Sequence, residues 1–394
     1  MNVVRVASRV ARAGVLAVVV MVMATSGVLA AWNPSIVVRP ASFQAWGPDL
    51  AASGTNVVVA WGQGPFSLPV TVWVARSTNS GTSFGTPVRL FKNSANAAQD
   101  ITVFTGPTAH FAVWSEVVAG GGSRVFMSRA TFGGGWSPAV QVSSNTSATQ
   151  ARRPRIVSSG NILILTYQTS NTSYGPFSAY TRVKIGSGPW GSATLLPGGV
   201  QEGTVSVAVS ASRVLVVWSN NAGQVRQRQG AITNSGTSFA WFTIYLSLGT
   251  GRNPIIVLAG THAVVLWEDD ADIYRRLSAN SGTSWGPQSK ILNGNPGSDV
   301  SAGDPFNLYD AAMNNANVAF TTATGDSPEL GGDGFRMTSG NFGSSWTKTL
   351  VSLEAGDQRQ VAYTQVGGIP KLAEAWLRVQ GQTYPFELRY HRET

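Results

Sequence analysis

"RSTNSGTSFGTPVRL", residues 76–90, decides how this chain is read, because its core returns three times: "ITNSGTSF" at 232–239, "SANSGTSWGP" at 278–287 and "SGNFGSSW" at 339–346. In each copy an Asn stands two residues before a Gly. An Asn side-chain oxygen accepts hydrogen bonds from backbone N–H groups just ahead of it, and Gly takes the positive φ that a tight turn needs. The aromatic residue that closes the motif is suited to packing between neighbouring sheets. Such a turn joins two strands, so its repetition implies a repeated β unit.

Upstream of each turn a short apolar run ends in an aromatic residue or its counterpart. The runs are "NVVVAW", "AHFAVW", "ILILTY", "RVLVVW", "AVVLW", "NVAFT" and "KLAEAW", ending at Trp61, Trp114, Tyr167, Trp218, Trp267, Thr321 and Trp376. Their spacing of 49 to 55 residues, with several strands per unit, points to a β-propeller. The first unit parses as "DLAAS", "NVVVAW", "VTVWVARS" and "PVRLF". First strands recur as "DITVFT", "RIVSS", "VSVAVS", "IIVLAG", "FNLYDAAM" and "QVAYTQ". Alternating and β-branched residues between Gly, Asn and Pro clusters support strands, and no amphipathic helix pattern competes. The expected class is therefore all-β: a propeller of four-stranded blades, each of about 50 residues. The seventh unit starts near Glu354 and supplies only three strands before Thr394, while "PSIVVRP" at 34–40 belongs to no unit. That N-terminal strand is expected to close a seven-bladed ring and cover its open edge; a six-bladed ring with an appended hairpin is the alternative.

Composition bounds the rest. Charged residues make up 12% of the 394 residues against about 25% in ordinary domains, so Ser, Thr, Asn, Gln and Gly must carry much of the surface. Arg5, Arg9 and Arg12 precede the apolar stretch "AGVLAVVVMVMA", and small residues follow in "SGVLAA". This is the pattern of a secretory signal peptide over 1–30, cleaved near Ala30, leaving a single domain over 31–394. The run is short of the ~20 residues of a spanning helix, so a secreted monomer with no membrane span in the mature chain is expected. Losing three arginines lowers the net charge from +9 to +6, with no Lys/Arg cluster, which excludes a nucleic-acid footprint. The absence of cysteine excludes disulfides, thiolate metal sites and cysteine nucleophiles. His110, His262 and His391 are scattered, no metal is expected, and neither a phosphate loop nor a dinucleotide fingerprint implies a cofactor.

The turn resembles the Asp box, or bacterial neuraminidase repeat, Ser-x-Asp-x-Gly-x-x-Trp, of the sialidase (neuraminidase) superfamily. The matching residues are Ser77, Asn79, Gly81 and Phe84; Ser278, Asn280, Gly282 and Trp285; and Ser339, Asn341, Gly343 and Trp346. A fourth copy has Asn234, Gly236 and Phe239, with Ile232 in place of Ser, and "ATFGGGW" and "IGSGPW" are degenerate versions. Every good copy carries Asn where the pattern has Asp. A folding turn tolerates that exchange, whereas a catalytic or calcium-binding one would lose its carboxylate, so these turns are expected to be structural.

Chemistry is then expected on the opposite face, which carries the two-to-three and four-to-one loops. Asp49, Asp100, Arg153, Arg155, Glu202, Arg252, Asp304 and Arg359 stand at the entries of the first strands. Arginines recur there in "RRPRIV", "GRNPII" and "DQRQVAY", and three guanidinium groups converging on the axis would grip a carboxylate; pairing with neighbouring carboxylates is the competing reading. The superfamily resemblance implies such an arginine triad, a tyrosine nucleophile activated by a glutamate, and an aspartic acid donor. Asp49 or Asp100 as acid, Glu202 or Glu354 as activator, and Tyr363 or Tyr309 as nucleophile are the candidates. The superfamily's Phe/Tyr-Arg-Ile-Pro motif is missing; "VVRPAS" around Arg39 lacks the Ile. The resemblance therefore implies an extracellular binding or scaffold module, with an extracellular or cell-surface glycan as partner, and as alternative an exo-acting glycoside hydrolase of sialidase type. The acidic loop "WEDDADIYRR" reads as a solvated charge run balanced by Arg275 and Arg276, with calcium as the competing reading. Trp46, Phe66, Tyr174 and Phe177 are placed to stack on sugars or to plug the ring's mouth.

Overall fold

The computed structural model describes residues 36–39, 44–64, 70–91, 97–119, 121–144, 149–172, 175–200, 205–293, 306–324, 334–352, 359–366, 369–379 and 386–393. The leader over 1–35, and with it the expected cleavage near Ala30, lies outside the described residues. Seven four-stranded antiparallel sheets form the ring, six of them taking their strands in sequence order. The innermost strands are Gln44–Ser53, Ala98–Thr105, Gln150–Ser159, Ser206–Val209, Arg252–Ala259, Phe306–Asn314 and Arg359–Val366, defining blades 1 to 7. Each follows one of the seven repeats read from the sequence. In blade 7 the outermost strand is Ile36–Arg39, paired antiparallel with Phe386–Arg392 so that Ile36 faces Tyr390 and Val37 faces Arg389. The N-terminal strand thus closes the ring, as expected, and the six-bladed alternative is excluded.

Packing between blades comes from the second strands. Trp61, Trp114, Trp218 and Trp267 are fully buried, and Tyr167 is nearly so. Trp61 shares a cluster with Ala362, Ala373 and Leu388 of blade 7, and Trp267 one with Leu215, Val217 and Leu248 of blade 4. Each large ring therefore wedges against the preceding blade, where burial of an aromatic side chain contributes about 2–3 kcal/mol. Polar edges are matched where the next residues allow: Trp61 Nε1 donates to Gln63 Oε1 at 3.3 Å, and Trp114 Nε1 to Glu116 Oε2 at 3.1 Å. Blade 6 differs by one residue from the sequence alignment. Asp310 faces Thr321, and the equivalent inner residues Asp49 and Thr102 face Ala60 and Val113, each just before its Trp, so the counterpart of Trp61 is Thr322. Tyr309 is an extra residue at a bulge between Leu308 and Asp310. The missing aromatic bulk is supplied by Phe320, packed edge-on against Trp346 at 5.0 Å.

Three of the four good turns share one hydrogen-bond network. In blade 1, Ser77 Oγ donates to Asn79 Oδ1 at 2.7 Å and accepts from Gly81 N at 2.9 Å, while Asn79 Oδ1 accepts from Ser83 N at 3.0 Å. The same bonds recur around Asn280 and Asn341 at 2.8–2.9 Å. Not only the glycine is left-handed: Ser80, Ser281 and Phe342 have φ of 58°, 53° and 58°, and Gly81, Gly282 and Gly343 follow at 77°, 76° and 81°. The first of each pair donates its N–H to the one-to-two turn of its own blade, Ser80 to Thr55 O and Ser281 to Thr261 O, so these two turns share a face of the ring. The copy at 232–239 departs from this. Without the serine hydroxyl, Asn234 and Gly236 form a single 3-10 turn, and the strands run into it as a tight hairpin with Ile232 opposite Phe239.

His110 opens the second strand of blade 2 and is 1% exposed, beside Phe132 and with Nδ1 at 3.0 Å from Thr105 Oγ1. Burial, aided by the positive charge of Arg76, pushes its pKa down to about 4. A histidine whose folded pKa lies below its unfolded value of about 6.5 stabilises the fold fully above that value. The contribution is lost as pH falls towards 4, up to about 3 kcal/mol in all. Urea unfolding at pH 4.5 and 7 should show this loss in the natural chain, and His110→Gln should remove most of the difference.

Candidate functional site

The axis of the ring encloses a cavity of about 510 Å³ lined by the innermost strands. Its middle is apolar, with Ala51, Val103, Val157, Val207, Val257 and Ala311 among the lining residues. One end is polar, and strand register explains which residues meet there. The residues just past the entry of each inner strand occupy equivalent places: Asp49, Thr102, Arg155, Ser206, Ile255, Asp310 and Gln360. The first six line the cavity as a collar. In blades 1, 2, 3 and 5 the ladder is interrupted just before the collar residue, where Gly47, Asp100, Arg153 and Asn253 take positive φ of 48–52°. These bulges turn the strand entries inward.

Two of the expected acids are built into the ring. Asp49 Oδ2 accepts from Thr102 Oγ1 at 2.5 Å and Val103 N at 2.7 Å in blade 2, and Oδ1 accepts from Leu50 N at 3.0 Å. Ser206 makes the same kind of tie from blade 4 to blade 5, accepting from Ile256 N at 3.1 Å. Asp100 repeats it one step outward, accepting from Arg153 N at 3.1 Å and pairing with Arg152 at 3.5 Å. Burial raises the Asp49 carboxyl above its ordinary range, against the opposing pull of the Arg155 charge and the three hydrogen bonds.

The arginines separate into different settings. Arg155 lines the cavity, half-buried, with no ion pair or hydrogen bond among the described residues. Arg252 instead donates from Nε to the fully buried Glu268 at 2.9 Å, is 52% exposed, and lies outside the cavity lining. Arg153 contributes its backbone N–H to Asp100. Arg359 is placed at the start of its strand opposite Trp376, but its side chain, like those of Tyr363, Tyr309 and Trp46, lies outside the described residues. Glu202, Glu354, Asp304, Phe66 and Tyr174 lie wholly outside them. Phe177 is not a surface platform: at 5% exposure it packs between blades 3 and 4 with Leu196, Val205 and Trp218.

In the acidic stretch the chain makes a tight hairpin, with Asp269 facing Asp272 and Asp270 left-handed at φ 54°. Its carboxylates are divided among different partners: Glu268 with Arg252 and Asn253, Asp269 with Thr250, and Asp272 with Lys290 and Tyr274. Arg275 and Arg276, expected to balance the run, reach the carbonyls of Ser344 and Gly286 instead. Asp310 escaped sequence reasoning because the one-residue bulge at Tyr309 hid its equivalence to Asp49; the strand register reveals it.

No family model and no curated protein matches this sequence. Solved structures do match. The chain is similar to the phage phi92 endosialidase at 11% identity, covering 92% of this chain and 69% of that one with a TM-score of 0.52. It is similar to an α-L-arabinanase of Penicillium chrysogenum, solved with arabinobiose, at 11% identity over 91% of this chain and 98% of that one, TM-score 0.52. An α-L-arabinofuranosidase from Fusarium graminearum gives 11% identity, 92% and 97% coverage, and a TM-score of 0.53. What the chain shares with them is the propeller. Its collar, with one unengaged guanidinium beside tied carboxyls, has to be read from its own residues.

Proposed function

We propose that this chain is an exported, sialidase-like propeller that binds a glycan at the collar of its axial cavity and acts as a recognition module. The observation that carries the reading is Arg155: a half-buried guanidinium lining the cavity near Asp49, with no ion pair or hydrogen bond among the described residues. A planar bidentate donor in a concave site is suited to a sugar carboxylate. Asp49 and Asp100, the acids that hydrolysis would draw on, serve as ties between blades. Arg252 and Arg359 are proposed to extend the anion-binding rim, and the three serine-anchored turns to be Asp boxes with Asn in the acidic position. The fold likeness to an endosialidase and to arabinan-cleaving enzymes supports glycans as the ligand class. Export is supported by the leader pattern, which N-terminal sequencing of protein from the culture medium would test.

Hydrolysis is the second reading, favoured by the place of Asp49 beside the cavity, where burial raises its carboxyl in the direction a general acid needs. One set of assays separates the two. A glycan-binding panel and fluorogenic sialoside and arabinofuranoside substrates are applied to the natural chain, Arg155→Ala and Asp49→Asn. The expected result is binding that weakens about tenfold or more in Arg155→Ala, as for loss of a charged hydrogen bond, with no turnover by any protein. Turnover abolished by Asp49→Asn would replace the recognition reading with the hydrolytic one.

A further inference from the structure

A second recess lies on the flank of the ring between blades 1 and 2, away from the axial cavity. Two cavities of about 400 and 280 Å³ share Trp136 and Val88 in their walls. Arg76, Ser83 and His110 line the larger, and Arg89 and Phe91 the smaller. Among the described residues, no carboxylate lines either one.

Three features mark this groove. Arg76 is half-buried, lies 5.7 Å over the Trp136 ring, and donates from Nη1 to the carbonyl oxygens of Gly134 at 2.7 Å and Thr131 at 3.4 Å; it has no acidic partner among the described residues. Arg89 lies 5.0 Å over Phe91 and likewise has no acidic partner among them. The Trp136 indole N–H is buried with no hydrogen-bond partner among the described residues. A half-buried cation with no counter-charge is costly to desolvate. An incoming ligand that supplies anionic oxygens would provide that counter-charge.

The Asn of the adjoining turn adds a fourth feature. Asn79 Oδ1 is fixed as the acceptor by Ser83 N, so Nδ2 faces Ser83 Oγ and donates to it at 2.9 Å. With Asp at this position the serine hydroxyl would spend its proton on the carboxylate. With Asn it accepts, and its own proton is left to donate to a ligand in the groove that Ser83 lines.

We propose that this groove binds an acidic oligosaccharide, one sugar unit per cavity, with Arg76 and Arg89 engaging carboxylates, Ser83 donating to a ring oxygen, and Trp136 forming the wall that both units share. That the ligand is a saccharide rests on the reading of the preceding subsection; that it is an anion does not. The test is calorimetric titration of the full chain with oligogalacturonate, its neutral methyl ester, and sodium acetate. Each titration is repeated with Arg76→Gln/Arg89→Gln, Arg89→Gln, Trp136→Phe and Arg155→Ala, after matching thermal midpoints. Oligogalacturonate should bind, the ester at least tenfold more weakly, and acetate far more weakly still. The double variant and Trp136→Phe should lose at least tenfold and about fivefold in affinity, while Arg155→Ala reports any separate binding at the axial collar. If the double variant fails to fold, Arg89→Gln and Trp136→Phe carry the test. No binding by the natural chain, equal affinity for the ester, or loss in Arg155→Ala alone overturns the proposal. The last of these would leave the axial reading standing. Acetate as tight as the oligosaccharide would make this an anion site and reject a saccharide.

Discussion

Replacing Glu374 by Ala should destabilise the ring by about 3–5 kcal/mol, read as a lower urea midpoint with an unchanged slope. Glu374 is fully buried on the second strand of blade 7. Its Oε1 accepts from Arg336 Nη1 of blade 6 at 2.8 Å, and its Oε2 lies 2.8 Å from His391 Nε2 on the neighbouring strand. Removing the carboxylate leaves the Arg336 guanidinium, 10% exposed, at a blade interface without its counter-charge. The cost of that stranded charge, more than the worth of the pair, sets the size of the effect. Accordingly Glu374→Leu combined with Arg336→Met should recover most of the loss. A single-variant effect below about 1 kcal/mol would show that the interface relaxes to admit water and that the triad does not hold blades 6 and 7 together.

Gly81→Ala should cost about 2–4 kcal/mol, well above Gly133→Ala at about 1 kcal/mol. Both glycines have φ of 77°, so the backbone strain from a side chain is matched. Their surroundings differ. A Cβ on Gly81 would meet the Tyr390 ring at 2.1 Å, while one on Gly133 meets nothing within 4 Å. Tyr390 is fully buried in blade 7, stacks edge-on with Phe84 at 5.0 Å, and donates its hydroxyl to Ser80 O at 3.2 Å. Its phenol is pushed up by burial and stays protonated as a donor. The clash therefore falls on the seam where blade 7 meets blade 1, beside the N-terminal closing strand. Differential scanning calorimetry of both variants checks the contrast, and equal shifts would assign the whole effect to backbone strain.

These two sites show how the repeated turn works. The glycine turns the chain, and it also lies flat against the preceding blade: Gly81 on Tyr390, Gly282 on Leu215, and Gly343 on Leu277 and Val264. A turn signature announces the first role, because the φ requirement is local to four residues. The second involves a residue 309 positions away in the case of Tyr390, and no local pattern carries that. The loss of the network at 232–239 was readable in principle, since Ile232 replaces the one hydroxyl that anchors Asn and Gly in the other copies.

The sequence by itself determined the four-stranded blade and its period and pointed to the closing strand, while the pairing of Ile36–Arg39 with Phe386–Arg392 decided seven blades over six. The blade and its repeat follow from period, alternation and turn chemistry, which depend on near neighbours along the chain. The tertiary structure decided which polar residues are available. Asp49 and Asp100 look like exposed acids in a linear reading, yet each is tied to the backbone of the next blade. Arg155 and Arg252 look equivalent, yet one lines the cavity unpaired and the other is matched by Glu268 from its neighbouring strand. The groove around Trp136 exists only because blades 1 and 2 meet there. Partners of a buried or half-buried charge lie 16 residues away, as for Arg252 and Glu268, or 54, as for Asp49 and Val103, and strand pairing and blade packing bring them within hydrogen-bonding distance.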